Sequence, residues 1–203
     1  MGQTQPRIIS DYKCALVVNT VLFIMPTVLA ILPENFEEIE AIASVDLLRR
    51  AGIEVTTASL DEQIHVTGRS GITLHADTTL AVGLTRDFDC VFLPGGPGVK
   101  HLRADPRVRA LVQRQHAAGR WLAAICAAPA VLHDAGLLAG RRFTAHFYVA
   151  GELTSILANE RTVADGNLLT ARGAGTAIEF GLLLVEKLVS PAKAREIAKT
   201  ICA

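Results

Sequence analysis

From residue 27 onward, short apolar runs alternate with stretches whose apolar residues recur at helical spacing. "TVLAIL" (27–32) is apolar without alternation, as expected of a strand covered on both faces of a parallel sheet. "EVTTAS" (54–59), "CVFLPGG" (90–96), "WLAAI" (121–125) and "RFTAH" (142–146) read as further strands. "TVADGNLLTA" (162–171) reads as a hairpin turning at Asp165–Gly166. Residues 61–79 alternate polar and β-branched positions around Gly68 and Gly71, which predicts a hairpin-like excursion at a sheet edge.

The intervening helices carry their own punctuation. Asn35 with Glu38 three residues on reads as a capping box, opening a helix that runs to about Arg50 and stops at Gly52. Asp105, Pro106 and Gly119 supply the N-cap, first position and terminator of a second helix, with Val108, Leu111 and Val112 as its apolar stripe. "APAVLHDAG" is a short helix, and Ser190–Pro191 opens a last one. "TAIEFGLLLVEKLV" begins with a second capping box, Thr176 and Glu179, and is apolar almost all round, so it is expected to be sandwiched. Strand–helix alternation without a repeat or linker means one doubly wound α/β domain, its mostly parallel sheet covered by helices on both faces. In such a sheet the site lies outside the carboxyl ends of the strands.

Composition narrows the function classes. The 203 residues are 50% hydrophobic, with 20 basic side chains balancing 20 acidic ones, so no basic patch points to nucleic acid or a membrane surface. The four cysteines, Cys14, Cys90, Cys126 and Cys202, show neither a C-x-x-C pair nor metal-ligand spacing. They read as reduced thiols of a cytoplasmic protein, and no metal site is expected. The run at 14–32 has the length of a membrane span, but Asn19 and Pro26 interrupt it and its second half is needed as the first core strand. Residues 1–24 are therefore expected to be an appendage, with Met25 the natural start and 25–203 the domain. The alternative is an uncleaved membrane anchor.

Three strand ends should share one rim: the turn before Glu37, Glu38 and Glu40, the Gly95–Gly96 pair, and Cys126. "LAAICAAPAVL" (122–132) places Cys126 on a strand–turn–helix corner like a nucleophile elbow, with small Ala127 and Ala128 and with Pro129 to start the helix. A reactive cysteine needs a pKa lowered by about three units, or about 4 kcal/mol. A helix dipole supplies at most about 2 kcal/mol, so turn amides or a protonated acid must provide the rest. Otherwise the cysteine is a small buried hydrophobe. Gly95 and Gly96 would let backbone amides approach an oxyanion. Glu40 points back toward the rim and, if it touches Cys126, is expected to be protonated at neutral pH. Of six histidines, His65, His75, His101, His116 and His133 read as surface residues. His146 ends the "RFTAH" strand on the rim, either lining the site or serving as a structural histidine.

The stretches "LPENFEEIEAIASVDLLRRAGIEVT", "FLPGGPG", "AAICAAP", "FTAH" and "RGAGTAIEF" together resemble the ThiJ/PfpI superfamily, most closely its Parkinsonism-associated deglycase branch, over about residues 26–190. The resemblance implies a flavodoxin-like fold, a homodimer and no cofactor. It implies Cys126 as nucleophile and redox-sensitive residue, Glu40 as its acidic partner, His146 nearby, and oxyanion amides at Gly95, Gly96 and Ala127. Peptidase-like and stress-chaperone branches usually carry histidine after the cysteine. Ala127 stands there, which weakens a proteolytic reading. "RGAGT" stands where the branch commonly has R-G-P-G-T, so Ala174 departs from the pattern in the loop expected to face the dimer.

The function expected is cofactor-independent, cysteine-dependent glyoxalase or deglycase action on methylglyoxal-type dicarbonyls and their adducts. The alternative is an oxidative-stress sensor with chaperone behaviour, built on the same oxidisable cysteine. Glutamine amidotransfer ranks far behind, because the G-x-C-x-G elbow is absent.

Overall fold

The structure is a computed structural model that describes residues 25–203, so the expectations for residues 1–24 lie outside the described part. The first apolar run forms β1 (Thr27–Leu32), followed by α1 (Glu38–Arg50) and β2 (Glu54–Ser59). The excursion forms β3 (His65–Thr67) and β4 (Thr73–His75), an antiparallel pair separate from the main sheet. Then come β5 (Thr78–Thr79), α2 (Leu80–Gly83), β6 (Cys90–Leu93), α3 (Val99–Ala104), α4 (Pro106–Ala117), β7 (Trp121–Ile125) and α5 (Pro129–Asp134). The chain ends with β8 (Thr162–Asp165), β9 (Leu168–Ala171), α6 (Ala177–Leu188) and α7 (Pro191–Thr200). The main sheet runs β5-β2-β1-β6-β7-β9-β8, parallel except for β8.

Alternate residues of each central strand face opposite layers, which makes two cores. Val28 and Ala30 of β1 pack with Leu47 and Leu48 of α1, Phe180 and Leu184 of α6 and Ile197 of α7. Leu29 and Ile31 pack on the other face with Leu102 of α3, Val108 and Val112 of α4 and Val131 of α5. The fold is thus the expected doubly wound, flavodoxin-like α/β sheet.

Four local expectations need correction. Asn35 has φ +61°, which is incompatible with the extended backbone of an N-cap, and Glu37 caps α1 instead by accepting from the Glu40 amide at 2.8 Å. Thr176 precedes α6 without capping it: its hydroxyl is turned back to the Gly173 carbonyl at 2.8 Å, while Glu179 pairs with Arg161. Residues 142–146 form no strand, because β9 already occupies the place beside β7. Thr144 holds that segment, donating from its amide to the Thr170 hydroxyl at 3.0 Å. Finally, α3 is a helix that the sequence pattern does not predict, since six residues are too few to display a helical period.

The β3–β4 tip is stitched to the start of α1. Asn35 N–H donates to Thr67 O (2.8 Å), Arg69 N–H to Phe36 O (2.9 Å), and Ser70 N–H to Glu38 Oε1 (2.6 Å). The excursion therefore flanks the carboxyl end of β1.

Candidate active site

β7 runs straight into Cys126, whose φ of +65° is the strained left-handed conformation of an elbow. Two bonds fix that strain: the Cys126 amide donates to Ala171 O (2.9 Å), and its carbonyl accepts from the His146 amide (2.8 Å). The side chain is neither sealed in the core nor fully in water.

Glu40 lies in the first turn of α1 and is fully buried. Its Oε2 accepts from the Gly95 amide at 2.8 Å. Its Oε1 has no nitrogen or oxygen partner and faces the Cys126 thiol. Burial raises the carboxyl from its ordinary value near 4.5 to about 7, with the Gly95 amide and Cys126 opposing that rise. Glu40 is thus poised to gain or lose a proton at neutral pH, as the sequence reading requires in direction.

The thiol behaves otherwise than expected. Burial first, then the charge of ionised Glu40, push it up to about 12, against which the Gly96 and Ala127 amides pull down. Helix α5 is six residues long and starts three residues after the cysteine, too short and too remote to reverse this. While Glu40 is ionised the sulfur keeps its proton. Glu40 is the group placed to receive that proton.

The glycine pair divides its work. Gly95 does not offer its amide to an oxyanion, because that N–H is held by Glu40. A Cβ there would lie 2.5 Å from the Cys126 Cβ and 2.6 Å from Glu40 Oε2, so only glycine lets acid and thiol meet. Gly96 and Ala127 instead direct their amides at the sulfur. Gly96 has φ +98°, and a Cβ there would lie 2.6 Å from both Asn35 O and Glu37 N. Gly96→Ala is therefore expected to lower stability by about 2–4 kcal/mol, a fall in Tm of about 5–15 °C in a thermal melt, and to displace the amide at the sulfur.

His146 does reach the site. Its Cδ2 lies 3.1 Å from the position a Cβ on Gly173 would take, and Cys126 Sγ and Glu40 Oε1 each lie 3.8 Å from that same point. Gly173 thus roofs all three side chains, and no sequence signal apart from the resemblance had picked it out. Burial, with help from Arg172 and Arg69, lowers the His146 pKa, so its ring is neutral at pH 7. Its Nδ1 accepts from the Tyr148 amide at 3.3 Å. Among the described residues no group of three or more His, Cys, Asp or Glu is arranged to hold a metal ion.

The sequence profile of the DJ-1/PfpI family matches residues 26–187. The protein dj-1beta of Drosophila melanogaster is 39% identical over 175 residues, covering 84% of this chain and 94% of that one. The glutathione-independent glyoxalase DJR-1.2 of Caenorhabditis elegans is 34% identical over 173 residues, covering 84% of this chain and 92% of its own. Among solved structures, oxidized Toxoplasma gondii DJ-1 superposes with a TM-score of 0.83 at 33% identity, covering 87% of this chain and 98% of that one.

Proposed function

Starting from the fact that the chain belongs to the DJ-1/PfpI family, we propose that it is a cofactor-independent glyoxalase or deglycase acting on methylglyoxal-type dicarbonyls and their adducts. The observation that carries this reading is the buried Glu40 carboxyl set against the Cys126 sulfur at a strained elbow. The name of the nematode relative, a glyoxalase that needs no glutathione, supports the same chemistry.

The site can perform it as follows. Cys126 adds to the aldehyde carbon as its proton passes to Glu40, so the thiol never has to exist as a free anion. The hemithioacetal oxygen takes the Gly96 and Ala127 amides. Glu40 gives the thiol proton on to the hemithioacetal oxygen. Ionised again, with neutral His146 beside it, Glu40 moves a proton from the former aldehyde carbon to the neighbouring one while the hydroxyl proton shifts to the neighbouring oxygen, leaving a thioester. Water hydrolyses it to lactate and returns the thiol. Incubating the protein with methylglyoxal and no glutathione is expected to release lactate; no release would overturn the reading.

A second reading is redox sensing with chaperone behaviour. A protonated Glu40 would donate to an oxygen of a Cys126 sulfinate, and the solved Toxoplasma relative is described as oxidized. Ile39 and Ile42 of α1 and Ile178 of α6 remain exposed on neighbouring helices, which fits a homodimer. No helix among the described residues is long and apolar enough to cross a membrane, and a cytoplasmic setting fits the spread cysteines.

A further inference from the structure

Beside His146 and Gly173 opens a cleft of about 540 Å³, lined also by Phe147, Leu153, Ile156 and Arg172. That is far more room than a three-carbon dicarbonyl requires and falls in the range of larger ligands. Two guanidinium groups belong to this neighbourhood: Arg172 lines the cleft, and Arg69 lies on the segment tied to the start of α1. Arg69 stands at the β3–β4 tip, whose backbone is tied to Phe36 and Glu38, and Arg172 follows β9 immediately before the roofing glycine. Both are exposed, and among the described residues neither is ion-paired, whereas Arg161 in the same cleft is held by Glu179 at 2.8 Å. Both charges reach His146, and Arg69 also reaches Glu40. Each acid of this turn already accepts a backbone amide: Glu37 from Glu40, Glu38 through Oε1 from Ser70, and Glu40 through Oε2 from Gly95.

We propose that Arg69 and Arg172 make this site selective for reactive carbonyl compounds and adducts that also bear a carboxylate. Planar guanidinium groups suit a carboxylate, and unpaired cations at the mouth of a cleft concentrate anions there. The inference rests on the reading of Cys126 as the reacting group, but it can be tested without turnover.

Iodoacetate and iodoacetamide are nearly equal in size and differ in charge; each loses iodide as the Cys126 sulfur forms a bond to carbon and its proton departs. Alkylation at Cys126 is followed by mass at pH 7 and low salt. Any change in thiol ionisation affects both reagents alike and cancels in the ratio of their rates. A unit charge at about 6 Å in water-like surroundings is worth about threefold. The Arg69→Gln/Arg172→Gln variant is therefore expected to lower the iodoacetate-to-iodoacetamide ratio about tenfold, as is salt near 1 M in the wild type. Arg69→Lys/Arg172→Lys should retain most of the ratio. An unchanged ratio in the glutamine variant overturns the carboxylate site and leaves the glyoxalase reading standing. Absent lactate release with a changed ratio does the reverse.

Discussion

Cys126→Ala is expected to abolish lactate release from methylglyoxal, with kcat/KM falling by about a thousandfold or more. No other described cysteine can take over. Cys90 is buried within β6, where desolvation drives its thiol far above the ordinary range, and Cys202 lies beyond α7 at the chain end. The loss will be chemical rather than structural. Alanine keeps the φ of +65° and both backbone bonds that hold the elbow, so it inherits the strain. Cys126→Gly provides the check: it should be as inactive as alanine yet more stable than it by about 1 kcal/mol, because glycine adopts that conformation without penalty. Retained turnover in either variant, with intact folding by circular dichroism, would remove the nucleophile from the scheme.

Glu40→Gln should separate catalysis from stability. Gln can still accept the Gly95 amide but cannot take a proton, so kcat is expected to fall by about 10²–10⁴-fold. In the wild type, kcat/KM should rise with pH through about 7 as the carboxyl becomes able to accept the thiol proton, and this step should vanish in the variant. Stability moves the other way. The folded-state pKa of Glu40 lies above its ordinary value, so the native state binds more protons than the unfolded one and this group makes stability fall between about pH 4.5 and 7. Above pH 7 the full cost is about 3 kcal/mol. Glu40→Gln is accordingly expected to raise Tm by several degrees at pH 8, a gain that shrinks toward pH 4. Equal Tm values for the two proteins at both pH values would mean that the carboxyl is not held in an unfavourable environment.

The layers of the fold were legible because burial on both faces leaves an unbroken apolar run, as in "TVLAIL" and "WLAAI", and because caps such as Asp105–Pro106 act within a few residues. Cys126 was legible for the same reason: a strand running into Pro129 through small residues leaves one chemically distinct atom at the bend. The "RFTAH" segment misled, since extended character is local whereas ladder pairing depends on which strand already holds the neighbouring place, here β9. The thiol pKa misled more instructively. Proximity to a helix start can be read along the chain, but desolvation and the charge of Glu40 depend on residues far apart in sequence. The division of the glycine pair, with Gly95 serving the acid and Gly96 the sulfur, likewise exists only after β1, β6 and β7 lie side by side. Arg69 and Arg172 are 103 positions apart, and nothing in either neighbourhood marks them as a pair. Short-range sterics and hydrophobic periodicity determined the elements and the reactive atom; through-space electrostatics, which only packing creates, decided how that atom is protonated and what can approach it.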